Sequence, residues 1–357
     1  MFFPAKIFRI RPLRQSAALI AACLALLAAL LVAGCLPGVA PTPTIPADAP
    51  PPPTPSWQRI YTDVAFFGKG LGLISGWNGT ILRSTDAGET WSPVKIPVTA
   101  DLYSVTCLDA NTALAVGGGG NILRSTDAGE TWVKIDSPTG ETLNSVASTG
   151  AGGAVAVGWR GAIIGTQDGG KTWTPLFADR GDPSLNFQSV SFAPGGMGMA
   201  VSSTGSVYKS ADAINWQPVT LPTTDQKLYS VDVLDNQNAF LAGNVDQDKV
   251  FVYGGTTVLL KTPDGGKTWG YGPRNLNPSL LTIKYVGPQA LVAAGWDGAI
   301  LRTNDGGNSW APTVSHTTGA IRSIAIMTAN NLFAVGDGET ILHSLDGGLT
   351  WQKIRGS

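Results

Sequence analysis

The chain has 357 residues, of which 24 are basic and 25 acidic, so its formal net charge is −1. This balance argues against a nucleic-acid partner, because neutralising phosphates needs a basic excess. Only 14% of the residues are charged and glycine occurs 45 times, which suits short antiparallel strands joined by tight turns.

Residues 1–34 predict an export signal. Four basic residues and no acidic one lie in residues 1–15, and residues 17–34 are almost wholly apolar. The run ends Val-Ala-Gly before Cys35, which resembles the bacterial lipobox, whose cysteine carries a diacylglycerol group and becomes the first residue. An uncleaved signal anchor is the alternative, because the apolar run just reaches membrane-spanning length. Either way we expect an exported protein that is anchored to the extracytoplasmic side of a membrane, in the periplasm or at the cell surface.

Residues 35–56 predict a lipidated cysteine followed by a stiff tether. Nine prolines lie in residues 36–56. Such sequence favours polyproline II at about 3.1 Å per residue, so the tether spans roughly 65 Å. Besides Cys23 and Cys35 the chain holds only Cys107, so the folded domain is expected to have no disulfide.

An eight-residue phrase ending in tryptophan recurs seven times in residues 57–357, with the copy at 210–216 one residue short. Its aspartates recur at intervals of 41, 41, 44, 52, 41 and 41 residues. A period near 41 with a Gly/Trp signature predicts an all-β, seven-bladed β-propeller with one four-stranded blade per copy.

The phrase resembles the Asp-box of BNR repeats, a turn between the third and fourth strands of a blade. We interpret its carboxylates as structural. Asp127 is expected to accept turn N–H groups, Gly129 to adopt positive φ, Thr131 to bond locally and Trp132 to be buried. The short copy lacks both glycines and predicts a looser turn. The seven structural aspartates are Asp86, Asp127, Asp168, Asp212, Asp264, Asp305 and Asp346.

Residues 102–135 illustrate one predicted blade, in which period-2 alternation is bounded by turn residues. Its predicted strands are Leu102–Leu108, Thr112–Val116, Asn121–Ser125 and Trp132–Ile135.

Ring closure is less direct, because residues 57–60 repeat residues 351–354 and so supply an eighth outer-strand copy. We predict that both copies lie in or beside blade seven, since local closure costs less entropy.

Other motifs do not support enzymatic chemistry. Residues 165–172 fit the phosphate-loop pattern, but they form the third Asp-box and precede a strand instead of a helix. The two histidines, His316 and His343, do not suffice for a zinc site or a Ser–His–Asp triad. His343 occupies a third-strand position that holds arginine in sister blades, so we assign it to the scaffold. We predict no metal and no cofactor.

Residues 244–255 match a calcium-binding loop only in part. Asn244, Asp246 and Asp248 match the start of such a loop. Lys249 and Gly255 stand where the loop requires a glycine and a bidentate glutamate.

Function is expected where the repeats differ. The loops between second and third strands and the blade connectors share one face, the tip face, opposite the Asp-boxes. Three of these hairpins read Gly-Trp-x-Gly, which indicates either hairpin packing or an exposed aromatic rim. Arginines beside aromatics are typical of protein-binding hot spots, although each arginine singly suits a solvated surface.

Aligning the inner strands also places five side chains at one position near the mouth of the channel: Tyr103, Asn144, Gln188, Tyr229 and Arg322. The predicted partner-binding residues are Trp77, Trp159, Trp296, Tyr103, Tyr229, Arg160, Arg180, Arg274 and Arg322.

Seven Asp-box blades, GWxG hairpins, a lipobox and few histidines resemble the photosystem II assembly and stability factor family over residues 57–357. The resemblance implies a non-enzymatic, monomeric lumenal propeller that helps the D1 reaction-centre subunit join its partners when the host is an oxygenic phototroph. It also implies an arginine-rich contact patch, for which Arg160, Arg180, Arg274 and Arg322 are the nearest matches.

Two other functions stay open. Sialidase-like glycoside hydrolases also use Asp-boxes, but they resemble six-bladed rings with an arginine triad and a tyrosine nucleophile backed by glutamate. Glu141 and Glu339 are the glutamates expected on the tip face, and neither has an evident tyrosine partner. A surface module that binds carbohydrate or protein is the third reading, which the aromatic tips allow.

Overall fold

The structure is a computed structural model that describes residues 59–176, 184–222, 226–245, 256–273, 276 and 279–356, without the side chains of Lys69 and Thr256. The predicted signal, Cys35 and the proline tether lie outside these residues.

Seven four-stranded sheets, each continuous in sequence and antiparallel throughout, form the blades. Blade one holds β1 (Tyr61–Phe66), β2 (Gly72–Gly76), β3 (Thr80–Ser84) and β4 (Ser92–Pro93). Blade two holds β5 (Leu102–Cys107), β6 (Ala113–Gly117), β7 (Ile122–Ser125) and β8 (Val133–Ile135). Blade three holds β9 (Leu143–Gly150), β10 (Gly153–Gly158), β11 (Ile163–Thr166) and β12 (Thr174–Pro175). Blade four holds β13 (Phe187–Phe192), β14 (Gly198–Ser202), β15 (Val207–Ser210) and β16 (Gln217–Val219).

Blade five holds β17 (Gln226–Val233), β18 (Ala239–Val245), β19 (Thr256–Thr262) and β20 (Gly270–Tyr271). Blade six holds β21 (Leu280–Tyr285), β22 (Leu291–Gly295), β23 (Ile300–Thr303) and β24 (Ala311–Thr313). Blade seven holds β25 (Ile321–Ile326), β26 (Leu332–Gly336), β27 (Ile341–Ser344) and β28 (Gln352–Arg355). Short 3₁₀ turns occur at Gly68–Gly70, Gly118–Gly120, Trp159–Gly161 and Trp296–Gly298. The predicted seven-bladed propeller is confirmed, and the four strands predicted in residues 102–135 agree with β5–β8 to within one residue.

The apolar core is divided among the seven seams between neighbouring blades. In the seam between blades one and two, Leu73 and Ile81 pack against Leu102, Val105 and the Asp-box tryptophan of blade two. The seam between blades seven and one is filled in the same way by residues of both blades. Each blade therefore depends on its neighbours for burial, which makes the closed ring the unit of stability.

Ring closure follows the prediction for the residues that the structure describes. The C-terminal copy forms β28, the outer strand of blade seven. The N-terminal copy lies beside that blade: the Glu339 N–H donates to the Arg59 carbonyl at 3.1 Å, and Ile60 bridges to Asp337. The same type of bond, from the Gly79 N–H to the Ala100 carbonyl, links blade one to the connector before blade two. The ring therefore closes through the same hairpin-to-connector hydrogen bond that links blades one and two.

The Asp-box of blade two has the predicted bonding. The Asp127 carboxylate accepts from the Thr131 N–H at 2.9 Å and from the Thr131 hydroxyl at 2.5 Å. Gly129 has φ +81°, and Trp132 is buried and donates its indole N–H to the Gly129 carbonyl at 3.1 Å. The sequence analysis missed Ser125, whose buried hydroxyl donates to Asp127 at 2.8 Å and accepts from the Gly129 N–H at 2.9 Å.

The prediction of a looser turn in blade four is confirmed only in part. Asp212 accepts from the Ser210 hydroxyl at 3.0 Å and from the backbone N–H groups of Ile214 and Asn215 at 2.9 and 2.8 Å. The Asn215 side-chain amide donates to the second carboxylate oxygen at 2.7 Å, where other blades use a hydroxyl. The aspartate therefore keeps its donors, but the glycine N–H that donates to the serine or threonine hydroxyl in the other six blades has no counterpart in this shorter turn as the structure describes it.

The third-strand position assigned to the scaffold links neighbouring blades. Arg83 donates from Nε to the Ala128 carbonyl at 2.9 Å, in the Asp-box of the next blade. Arg124 and Arg302 make the equivalent bond to the next Asp-box. His343 instead stacks on Phe333, with ring centroids 4.1 Å apart. Its assignment to the scaffold is confirmed.

Candidate functional site

The three Gly-Trp-x-Gly hairpins have a fixed backbone. Asn78, Arg160 and Asp297 all adopt positive φ, between 51° and 56°, and the glycine after each does too. A Cβ on Gly298 would lie 1.9 Å from the carbonyl oxygen of Thr317 in the next connector, so this position requires glycine. The hairpins are therefore pressed against the connectors and present their side chains at defined places.

Two of the three hairpin tryptophans are exposed. Trp159 is 49% exposed and Trp296 is 38% exposed, whereas the Asp-box residue Trp132 is 6% exposed. Trp77 is only partly exposed. The interpretation as an exposed aromatic rim therefore fits Trp159 and Trp296 better than hairpin packing does.

A β-bulge near the start of every inner strand creates the ring at the mouth of the channel. One residue of each inner strand has no partner in the register with the second strand, and such bulges redirect side chains. These residues are Thr62, Tyr103, Asn144, Gln188, Tyr229, Leu281 and Arg322. The structure thus places the five residues aligned from the sequence at equivalent positions lining the channel, and it adds Thr62 and Leu281.

Arg322 connects the ring to the hairpins. Its guanidinium carbon lies 5.9 Å from the ring centroid of Trp296, a cation–π distance. The same guanidinium donates to Asp337 from Nε at 2.5 Å and from Nη2 at 3.3 Å. Trp296 and Arg322, from blades six and seven, therefore form one cluster together with Asp337.

The other predicted arginines lie apart from this cluster or cannot be placed. Arg160 is on the blade-three hairpin with its side chain 64% exposed, and its Nη1 lies 3.6 Å from Glu141. Arg180 and Arg274 lie outside the described residues. Tyr103 and Tyr229 line the channel, and burial followed by the charge of Asp101 raises the pKa of Tyr103.

Polar side chains inside the channel join one inner strand to the next, and the sequence analysis missed them. The Val146 N–H donates to the Ser104 hydroxyl at 3.2 Å, and the Val190 N–H donates to that of Ser145 at 3.2 Å. Asp63 completes the ring, because it accepts from Ser104 at 2.7 Å and from Ser323 of blade seven at 2.6 Å. A serine directly after the bulge position in five of the seven inner strands was the available signal.

One lysine also lies in the channel, whose volume is about 580 Å³. Lys284 Nζ lies 3.1 Å from Asp232, and the charge of Asp232 raises the pKa of this lysine. The channel wall is thus polar: Lys284 is paired with Asp232, and Asp63 accepts hydrogen bonds from two serines. This arrangement suits a rigid support.

Both tip-face glutamates are engaged in ion pairs. Glu141 faces Arg160, whereas Glu339 pairs with Arg59 at 2.7 Å and Arg355 at 3.2 Å. Glu339 has φ +60°, at a turn position that glycine occupies in the GWxG hairpins. Non-glycine residues are strained in that region. The Glu339 side chain, on this strained backbone, binds Arg59 in the segment that leads into blade one and Arg355 in the last strand of blade seven.

In the part of the chain that the structure describes, no group of three or more His, Cys, Asp or Glu side chains could hold a metal ion. No helix among those residues has the length and hydropathy needed to cross a membrane.

The fold matches solved structures of several propellers. The structure of YCF48 bound to D1 peptide is 23% identical, with a TM-score of 0.67 over 81% of this chain and 94% of that one. YCF48 from Cyanidioschyzon merolae is 22% identical, with a TM-score of 0.64 over 83% and 97%. An ancestral GH74 enzyme is 16% identical, with a TM-score of 0.69 over 85% of this chain and 47% of that one. These likenesses concern the fold alone.

Curated protein sequences give no match. The family model described as photosynthesis system II assembly factor YCF48 matches residues 55–241 and 230–335, most of the propeller. The family anticipated from the Asp-boxes and the GWxG hairpins is therefore confirmed, and the chain belongs to the YCF48 family of photosystem II assembly factors.

Proposed function

We propose that this chain is a non-enzymatic scaffold that binds an extracytoplasmic segment of a membrane protein on its tip face. The observation that carries the proposal is the cluster of Trp296 and Arg322 beside the mouth of the channel, on a backbone fixed by bulges and tight hairpins. Tryptophan and arginine are enriched among the residues that dominate binding energy at protein interfaces. Both lose little entropy on binding here, because the fold already orders them.

The partner class follows from the family and its solved relative. One of the solved YCF48 structures described above is bound to a D1 peptide. By extension, we propose that this chain binds a segment of D1, or of the corresponding membrane protein in its host. The pairing of Glu339 with two arginines supports a role without hydrolysis, because a glycosidase needs both of its carboxylates free to act on the glycosidic bond.

The binding test uses a synthetic D1 peptide as the probe, with solubilised host membranes as a second source of partners. Arg322→Glu is expected to cost about 2 kcal/mol or more of binding free energy, because it reverses a partly desolvated charge. Arg160→Glu is expected to cost less than about 1 kcal/mol, because rim charges mainly change the association rate.

Arg322→Glu also sets two carboxylates beside each other at Asp337 and could disturb the fold. Trp159→Ala and Trp296→Ala therefore supply a second measurement, since both rings are exposed. Lys134→Glu, on the exposed outer strand of blade two, is the matched control. Wild-type affinity in all the tip-face variants would refute the docking face.

We further propose that the propeller is exported and anchored through lipid on Cys35, with residues 36–56 as the spacer. The Val-Ala-Gly-Cys sequence and the nine prolines support this proposal. Mass spectrometry of the mature N-terminus should show diacylglycerol on Cys35, and Cys35→Ala should release the protein from the acylated fraction. Unmodified Cys35 in the wild-type protein would contradict the anchor.

A further inference from the structure

A groove of about 820 Å³ lies on the Asp-box face, between blades four and five. Its walls are the two Asp-boxes, and its ends are the β13–β14 and β17–β18 turns. The volume falls within the range of small-molecule sites. The groove is on the opposite face from the proposed docking surface, so its role is independent of that proposal.

Blade four, which forms one wall of the groove, departs from the repeat. Its Asp-box is one residue shorter than the other six. The adjoining turn carries Gly195 and Gly196, and a Cβ on Gly196 would lie 2.0 Å from Asn236 Oδ1. That oxygen accepts from the Met197 N–H at 2.8 Å, across the seam. The turn can therefore lie against Asn236 only because position 196 is glycine, and this contact fixes one end of the groove.

Four side-chain amides are among the polar groups that line the groove: Asn215, Gln217, Asn236 and Gln237. The two carboxylates, Asp212 and Asp264, are engaged by their own turns, and these hydrogen bonds lower the pKa of both. Lys209 donates to the Gly265 carbonyl at 3.3 Å. Gln217, Asn236 and Gln237 are exposed and line the groove. An amide both donates and accepts hydrogen bonds, which is what a hydroxyl group requires from a binding site.

A second recess, of about 480 Å³, lies on the other side of the blade-five Asp-box. It combines the amides of Gln289 and Asn308 with the rings of Trp269 and Tyr285. Polar groups beside aromatic walls are typical of sites that orient small polar ligands. The two recesses meet at Pro263, so a chain-like ligand would contact both sides of this Asp-box.

We propose that the groove between blades four and five binds an oligosaccharide. The side-chain amides of the groove form hydrogen bonds with the hydroxyl groups of the sugar. Lys267, which also lines the groove, supplies a positive charge for the carboxylate of a uronic acid, so both neutral and uronic sugars fit. A nucleotide or other strongly anionic ligand fits less well, because Lys209 is already engaged.

The test is a panel of neutral and uronic oligosaccharides of four to six sugars, followed by calorimetry of the strongest binder with the full chain. Ala211, an exposed residue that lines the groove directly before Asp212, is changed to Trp to fill the space. The matched control is Thr126→Trp, the same position in the Asp-box of blade two, which is also exposed.

Ala211→Trp is expected to weaken binding by about tenfold or more, equivalent to roughly 1.4 kcal/mol. Thr126→Trp should leave the affinity within about twofold of wild type, and both variants should keep the wild-type melting temperature. The proposal is overturned if no member of the panel binds the wild-type protein. It is also overturned if both variants bind as wild type does, or if both lose affinity equally.

Discussion

Between pH 4 and pH 2 the propeller is expected to lose stability, because the unfolded chain then takes up protons at the seven Asp-box carboxylates, which the folded protein keeps largely ionised. The hydroxyl of Thr90, its N–H and the hydroxyl of Ser84 lower the pKa of Asp86 to about 2. At Asp127, burial opposes the shift, but the bonds from Thr131 and Ser125 exceed it and bring the pKa to about 2. The remaining five are lowered in the same way.

The sign follows from linkage. A carboxyl group whose pKa is lower in the folded state than in the unfolded chain binds fewer protons when folded. Its contribution is complete above the unfolded value, near 4, and is lost as the pH falls through the folded value. We therefore expect the guanidinium midpoint to fall continuously from pH 4 to pH 2.

Asp127→Asn separates this effect from general charge repulsion at low pH. The variant should be less stable than wild type at pH 7, and the difference in melting temperature should shrink towards zero as the pH approaches 2. High salt should change the difference at pH 7 little, since the groups that donate to Asp127 are neutral and in direct contact with it. A difference that stays constant from pH 7 to pH 2 would show that ionisation of Asp127 does not stabilise the turn.

Ser125→Ala is expected to destabilise the protein by about 2 kcal/mol, as much as loss of the aspartate itself. The Ser125 hydroxyl is buried and accepts a hydrogen bond from the buried Gly129 N–H at 2.9 Å. Water therefore cannot replace the hydroxyl in the variant. The Asp127 carboxylate is partly exposed, and water can solvate some of the groups that it leaves behind. Denaturant unfolding at neutral pH measures both variants.

Ser125→Thr is the matched control. Threonine occupies this position in blades three, five and six, where Thr166, Thr262 and Thr303 make the same bond to aspartate. We expect this variant to lie within about 0.5 kcal/mol of wild type, as replacements that keep the contact do. If Ser125→Ala were equally neutral, the buried hydroxyl would not be needed for the turn.

The repeat made most of the fold predictable. Seven phrases at a period near 41 residues gave the number of blades, and alternation gave the strands of blade two to within one residue. The looser turn of blade four was predicted correctly only in part. Losing the glycine does remove the N–H that bonds the serine or threonine hydroxyl in the other blades, but the donors around Asp212 are kept. Asn215 supplies one of them from a different side chain.

The candidate sites were less predictable, because they depend on contacts between blades. Aligning inner strands found the position of Tyr103 and Arg322, but not that Arg322 lies between Trp296 and Asp337. Those three residues come from two blades and are up to 41 positions apart in the sequence. The groove between blades four and five could not be foreseen either, since its lining comes from the Asp-boxes and turns of two different blades.

The sequence by itself determined the architecture, since each blade is a local unit whose turns and alternation are written within about 40 residues. Only the tertiary structure decided which side chains meet across the seams. Closing the ring brings Arg59 to Glu339, which also pairs with Arg355 of its own blade, and brings Ser323 to Asp63. The two pairs that cross between blades, Arg59 with Glu339 and Ser323 with Asp63, are 280 and 260 residues apart in the sequence. No local pattern encodes such pairs, because they form only when the first and last blades pack against each other.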